Sequence, residues 1–543
     1  MSLLYRLSPN RIIIAAALFL VATANLTFFR AVLALYPLAD NFGFVVSLAI
    51  LLAACLTLLM SVFSLALPWR WTVSLFLLTA AASSYFSDQF GTIIDLDMIR
   101  NVYETDAAES MDLFSSGLIF RVFFLGIVPV ALLWWLPIPV TGFVHQKAFH
   151  ALTGLLAVGV MAICVFGFSS QYASFFREHK TVRYYVSPAY PIYSAIQFAA
   201  SFAPSSAPLP FMGLDAVANI LESEDAHAEL VILVVGETAR ADHFSLNGYP
   251  RATNPRLSLE ANIISFSNIH SCGTSTAISV PCMFSYSAHD GFDVKSARNT
   301  ENGLDLLQKA GVNVLWRDNN SDSKGVADRV PFENFRSAEL NPVCDDECRD
   351  IGMLDGLQAY IDAKSGDILV VLHQMGSHGP AYHRRYPADF EKFTPACHSN
   401  ELANCTQDEI INAYDNTILY TDYFLSEVIA LLKANSPKYE AAMFYVSDHG
   451  ESLGESGIYL HGMPYSFAPE AQTHVPVIAW ISPSSDIDYA QSLALRDQAN
   501  SHDVVFDTLL DVFEVTTELL PAAEVKLVVM ADEEDEEDHN VAR

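Results

Sequence analysis

The stretch ELVILVVGETARAD, residues 229–242, decides how the larger part of this chain reads. Six apolar residues run without a break from Leu230 to Val235, and a glycine, an acid and a polar turn follow. An unbroken apolar run of strand length is the pattern of a strand covered on both faces, whereas a half-exposed strand alternates. Comparable runs recur downstream: VNVLWRD (312–318), DILVVLHQMGSH (367–378), AAMFYVSDHGE (441–451) and VPVIAWIS (475–482). Between them lie stretches of helical pattern, GLDLLQKA (303–310) and DNTILYTDYFLSEVIALLKAN (415–435). The alternation predicts an α/β domain over residues 226–530, with a mostly parallel sheet covered by helices. In such sheets functional groups gather beyond the carboxyl ends of the strands.

Three of these strands end in groups with chemistry. Glu237 follows the first, His378 follows the third in GSHGP, and Asp448 and His449 follow the fourth; His461 in YLHGMPY adds a nitrogen from another loop. Each has an ordinary explanation, such as an acid at a helix start or a histidine satisfied at the edge of the core. Together they form a set of oxygen and nitrogen ligands suited to zinc. A site of this kind needs a nucleophile, and SCGTSTAISVPCMFSYS (271–287) offers uncharged hydroxyls in a loop of small residues. A threonine or serine hydroxyl attacks weakly until a base or a metal lowers its pKa. On residue chemistry alone Thr274 and Thr276 are both candidates.

The first third of the chain is different in kind. Apolar runs at roughly Ile12–Phe28, Phe42–Leu65, Trp69–Tyr85, Leu118–Leu136 and Ala148–Phe168 each approach the ~20 residues of a membrane-crossing helix. They predict a transmembrane domain of five helices over residues 1–170. Arg6, Arg11, Arg70 and Lys147 occupy the start and two of the links, whereas the link at about 86–117 is acidic. The positive-inside rule then leaves the N-terminus in the cytoplasm and everything beyond residue 170 outside. Residues 171–225 mix aromatic and basic side chains and end in a Pro/Ser-rich piece, as expected of a membrane-proximal helical and linker segment.

The cysteines agree with that placement. Cys55 and Cys164 fall inside apolar runs, and the other six form close pairs, Cys272 with Cys282, Cys344 with Cys348 and Cys397 with Cys405. Near pairs outside the cytoplasm suggest three disulfides, and no repeated CxxC supports a zinc cluster. The net charge of −32 and the lack of a basic patch exclude nucleic acid as a partner. Part of that charge is the tail at 531–543, ADEEDEEDHNVAR, expected to be solvated and without fixed structure.

These blocks, taken with RDNNSDSKGV (317–326) and THVPVIAW (473–480), resemble the phosphoethanolamine transferases that modify lipopolysaccharide. The likeness is greatest to the lipid A type, which includes the mobile polymyxin-resistance enzymes, and it covers almost the whole chain. The resemblance implies an alkaline-phosphatase/sulfatase-like domain in the periplasm, anchored in the bacterial inner membrane. It implies Zn2+, one ion tightly bound and a second possible, and a monomer acting on phosphatidylethanolamine and lipid A. Thr276 matches the family nucleophile, and Glu237, Asp448 and His449 match the zinc ligands, with the Thr276 oxygen as the fourth. His378 and His461 match residues near a second metal or the phosphoethanolamine. Ser321 and Lys324 match contacts to the transferred group, and Asn101, Thr105 and Glu109 match the donor-lipid positions. The i, i+4, i+8 spacing of those last three would set them on one helical face. Two other readings share the superfamily: transfer to a core heptose, another sugar or a periplasmic glucan, and hydrolysis of sulfatase type. The second needs a C/S-x-P-x-R pattern, which the Cys272–Cys282 segment lacks. A non-catalytic membrane sensor would have no use for the complete set of Glu237, Thr276, Asp448 and His449, and a transporter would need polar residues at mid-membrane.

Overall fold

The computed structural model describes residues 8–105, 107–138, 142–202, 216–218, 227–517 and 526–531, with the side chains of residues 107–109, 217 and 218 left out. The chain divides into two compact units, one of residues 1–99 and 114–203, the other of residues 100–113 and 204–543. The acidic tail expected to be unstructured, and most of the Pro/Ser-rich linker, lie outside the described residues.

The first unit is helical. Helices Leu38–Ala66, Ser116–Trp135 and Phe143–Gly167 are each long and apolar enough to cross a membrane. The first expected span is a bent pair, α1 (Pro9–Thr23) and α2 (Leu26–Leu35), angled by 61°. Asn25 sits at the break: its Nδ2 donates to Leu20 O at 3.0 Å and Ser187 O at 2.9 Å, and its Oδ1 accepts from Ser187 N at 3.0 Å. A side-chain amide that satisfies the freed backbone is what lets an apolar helix bend at such a point. Helix Trp69–Phe90 has 22 residues but does not meet the same test of apolar composition. Thr72, Ser74, Ser83 and Ser84 face the interior of the unit and dilute its apolar character. Length and composition therefore support three spans, or four with the bent pair, among the described residues, against the five expected. Arg121 forms an ion pair with Asp88 inside this unit.

The second unit is built on an eight-stranded sheet. Its strands in chain order are β1 (Ala228–Gly236), β2 (Ile263–His270), β3 (Asn313–Asp318), β4 (Phe332–Asn334), β5 (Ile368–His373), β6 (Tyr439–Ser447), β7 (His474–Ile481) and β8 (Asn500–Ser501). They stand side by side as β8-β2-β7-β6-β1-β5-β3-β4. The block β6-β1-β5-β3-β4 is wholly parallel, and β7 runs antiparallel to both its neighbours. Strand β7 (VPVIAWIS) therefore joins the sheet in the opposite sense, so the sheet is mixed around a parallel centre. Strand β2 was not apparent because its sequence, IISFSNIH, alternates buried and half-buried residues near the sheet edge. Every residue of β5 is buried, as are all but the first of β1, in keeping with their unbroken apolar runs. The 29-residue helix Gln407–Asn435 begins with a capping box, in which the Thr406 side chain and Glu409 satisfy each other's backbone N–H groups.

Candidate active site

Parallel strands β6, β1, β5 and β3 end side by side, and their next residues converge. Glu237 follows β1, Asp448 and His449 follow β6, His373 closes β5, and Asn320 lies two residues past β3. Opposite them is an eight-residue helix, Thr276–Met283, whose first residue is Thr276. The partial positive charge of a helix start favours an oxyanion at that position.

Glu237, Asp448 and His449 are fully buried and offer ligand atoms within 4.8 Å of one another. His449 Nε2 lies 3.3 Å from Asp448 Oδ2 and 3.5 Å from both Glu237 Oε1 and Thr276 Oγ1. Thr276 Oγ1 lies 3.1 Å from Glu237 Oε2. Ligands about 2 Å from a tetrahedral zinc ion would stand about 3.3 Å apart, so the four groups fit a small four-coordinate cation. The backbone assists. Asp448 Oδ1 accepts from Thr238 N at 3.1 Å and His449 N at 2.7 Å, while Oδ2 is buried without a hydrogen-bond partner. His449 Nδ1 lies 2.9 Å from Gly450 O, so the proton belongs there and the Nε2 lone pair turns to the cluster. Burial, with His461 nearby, holds His449 well below the usual imidazole range, and burial raises Asp448. A neutral imidazole and buried carboxylates are a donor set suited to a cation.

The two threonines have separate uses. Thr274 Oγ1 donates to Met463 O at 2.6 Å and pins its loop, whereas Thr276 Oγ1 faces the carboxylates and the imidazole. The disulfide Cys272–Cys282 closes the same segment, and the Cys344–Cys348 and Cys397–Cys405 pairs are bonded as well.

The remaining expected residues fall into two groups. His461 lies beside His449, with ring centroids 4.5 Å apart, and beside His378 at 5.3 Å. Lys324 Nζ donates to Ser321 O and Ser321 Oγ, each at 2.8 Å. Ser321 Oγ bonds Asn320 Oδ1, and Asn320 Nδ2 donates to Glu237 Oε2 at 2.7 Å, so a hydrogen-bonded chain links Lys324 to the cluster. A cavity of about 720 Å³ opens here, lined among others by Asn320, Ser321, Lys324, Arg298, Arg336 and Glu104.

Asn101, Thr105 and Glu109 do not share one continuous helix. A first helix ends at Glu104, a second spans Ala107–Asp112, and the side chain of Glu109 lies outside the described residues. In the last turn of the first helix Asn101 O accepts from both the N–H and the hydroxyl of Thr105, and Glu104 O accepts from Lys324 Nζ at 3.2 Å.

Four neighbours of the cluster escaped the sequence reading. Besides Asn320 they are His373, Glu451 and His502. His373 Nδ1 pairs with Asp318 Oδ2 at 2.8 Å. Glu451 accepts from Tyr382 Oη at 2.7 Å and pairs with His461 Nδ1 at 2.8 Å. His502 accepts from Cys272 N and bonds Ser447 O, tying the threonine loop to the end of β6. His373 and Glu451 could have been found, since they lie in the quoted segments HQMGSH and SDHGE; His502 has no local signal.

Comparison with known proteins gives the chain a family. Residues 229–515 match the sulfatase family model, and residues 52–202 match the model described as phosphoethanolamine transferase EptA/EptB. Phosphatidylethanolamine transferases Mcr-1 and Mcr-2 of Escherichia coli are 45% and 44% identical to this chain, each covering 94% of it and 96% of their own length. The structure of an integral membrane protein, lipooligosaccharide phosphoethanolamine transferase A from Neisseria meningitidis, superposes with a TM-score of 0.90 at 33% identity, covering 94% of this chain and 97% of its own. Two matched family models, relatives similar over nearly their full length, and a shared fold across both units establish that the chain belongs to the phosphoethanolamine transferase family.

Proposed function

We propose that this chain moves phosphoethanolamine from phosphatidylethanolamine to a phosphate of lipid A, with Thr276 as the nucleophile. The observation that carries this reading is the Thr276 hydroxyl, 3.1 Å from Glu237 and 3.5 Å from His449 at the start of a helix. Glu237, Asp448, His449 and the Thr276 oxygen would hold one Zn2+, with a second ion possible nearby. Bound there, zinc supplies Lewis-acid stabilisation of negative charge on the threonine oxygen and the phosphoryl group.

The chain's own groups do the rest. Thr276 Oγ1 attacks phosphorus, its proton leaves with the diacylglycerol alcohol, and phosphoethanolamine remains esterified to Thr276. An oxygen of a lipid A phosphate then attacks the same phosphorus, and the Thr276 oxygen leaves. Lys324, steadied by Ser321, holds a phosphoryl oxygen, and His378 and His461, whose rings lie side by side, bond the transferred group. Asn101, Thr105 and Glu109 hold the donor lipid. Fixing donor and nucleophile in one geometry supplies much of the rate enhancement.

In this reading α1–α2 is one broken span and Trp69–Phe90 another, which makes five crossings of the inner membrane. Residues 226–530 form the catalytic domain on the periplasmic side, the side that the basic links of the first unit imply. Adding an ethanolamine cation to a lipid A phosphate lowers attraction for cationic peptides, so cells expressing the chain resist polymyxins. The test is mass spectrometry of lipid A from cells expressing wild type or Thr276→Ala. A phosphoethanolamine increment present only with wild type supports donor group, acceptor and nucleophile together. An increment on core sugars alone replaces the acceptor, and no increment from stable, metal-loaded protein removes the transferase reading.

A further inference from the structure

The segment of residues 100–113 interrupts the helical unit in sequence but belongs to the sheet-bearing unit, where buried charge holds it. At its end, the Asp112 carboxylate is clasped by two consecutive arginines, Arg384 Nη1 to Oδ1 at 2.7 Å and Arg385 Nη2 to Oδ2 at 2.5 Å. Asn400 Nδ2 donates to the Asp112 carbonyl at 3.0 Å. The side chains of Asp112 and Arg385 are only 2% and 1% exposed. A buried guanidinium is stable only when its donors are matched, and here each of its three nitrogens has a partner. Its Nη1 pairs with Glu347, and its Nε donates to the backbone oxygen of His378 at 2.7 Å.

One side chain therefore grips both the segment of Asn101 and Thr105 and the loop of His378. The segment's other end is tied to Lys324 through Glu104 O, with Arg298 paired to the Glu104 carboxylate. We propose that Asp112 and Arg385 are positioning residues of the transfer reaction. Asp112 sets the donor-lipid segment in register with the site, and Arg385 sets the segment and His378 together. The inference rests on the transferase reading above, in which residues 101–109 hold the donor. Neither residue was singled out by the sequence: Asp112 is one acid among many in its link, and Arg385 lies in a basic run, HRR.

The test uses the full-length, metal-replete chain in vesicles of phosphatidylethanolamine with a fluorescent acyl chain, scored by diacylglycerol release. A water-soluble ester, p-nitrophenyl phosphoethanolamine, is the second substrate, since it carries the headgroup without the lipid. Asp112→Asn keeps shape and leaves Glu347 to neutralise Arg385. It should raise KM for the lipid about tenfold while turnover of the soluble ester falls by no more than about twofold. Asp112→Glu should recover part of the loss. Arg385→Lys should lower both turnovers, because it also releases the His378 carbonyl. Arg384→Gln, at a partly exposed arginine, should shift the ratio of lipid to soluble turnover in the same direction by less, and it decides the question if Asp112→Asn does not fold. Equal losses on both substrates for Asp112→Asn and Arg384→Gln, or an unchanged ratio in both, overturn the positioning role. A wild type that releases diacylglycerol while those variants behave this way leaves the transferase reading standing. A wild type that releases none overturns that reading and the positioning role with it.

Discussion

Strands β1 and β6 carry a cluster of acids at each end, and the two ends differ in almost everything except their carboxylates. At the amino ends, Glu229, Glu440 and Asp486 offer oxygen atoms within 4.8 Å of one another, the same limit met by Glu237, Asp448 and His449 at the carboxyl ends. Glu440 and Asp486 are half-buried, and Glu440 Oε2 accepts from Asp486 N at 2.8 Å, an ordinary use for an acid at a strand margin. The opposite cluster is closed to water, includes a neutral imidazole, and faces a hydroxyl at a helix start. The comparison teaches that acids gathered at strand ends do not make a reactive centre. Removal of water strengthens each electrostatic interaction, and a nitrogen ligand and a nucleophile must be brought in from separate loops.

That contrast can be broken most directly at Thr276. Thr276→Ala should lower diacylglycerol release by about three orders of magnitude or more, with Thr276→Ser keeping part of the rate. Wild-type rates in the alanine variant would transfer the nucleophile's role elsewhere. Next in size is the metal. His449→Ala should remove about one equivalent of bound zinc per chain, measured by elemental mass spectrometry, and a chelator should lower the melting temperature of wild type but not of the variant. Zinc retained in His449→Ala would mean that the carboxylates suffice, and the difference between the two strand ends would shrink accordingly.

A smaller effect tests how dry the carboxyl end is. His502 is fully buried, and desolvation depresses its pKa from 6.5 to about 3. The unfolded chain therefore binds one more proton than the folded chain between those values. The stability associated with neutral His502 is present above pH 6.5 and is lost as pH falls toward 3, at about 1.4 kcal/mol per pH unit. His502→Gln should flatten the acid limb of the stability curve by about one proton, as read from denaturant unfolding at a series of pH values. An unchanged slope would mean that His502 is hydrated. Smallest of all is the amino end. Glu440→Gln should change transfer less than twofold and stability by about 0.5–1 kcal/mol. A large loss of activity would give that cluster a role that the half-exposure of Glu440 and Asp486 argues against.

Much of this is legible in the sequence itself. Apolar runs identify β1, β3, β5, β6 and β7, because a strand covered on both faces has little polar alternation to conceal it. The carboxyl-end rule then directs attention to Glu237, His378, Asp448 and His449. What stayed hidden has physical causes as well. Strand β2, next to the sheet edge, mixes Ser and Asn with its apolar residues, and the sense of β7 depends on connections that periodicity does not record. The helix of Asn101 stops at Glu104 and a second one begins at Ala107, where Glu104 O is taken by Lys324, more than 200 residues downstream. That overrides the regular spacing of Asn101, Thr105 and Glu109.

The amino-acid order alone was enough to establish a helical apolar third, an α/β remainder, three close cysteine pairs and a short roster of reactive side chains. These are local properties, written in runs and spacings a few residues long. Whether Thr274 or Thr276 faces the carboxylates could not be read from residue chemistry, since both are small hydroxyls in one loop. The choice depends on Met463 O accepting from Thr274, on the helix that starts at Thr276, and on Asp448 and His449 arriving from about 170 residues away. Contacts between groups so distant in the chain exist only after it folds, and burial, which makes a cluster of acids reactive, is a property of the packed whole.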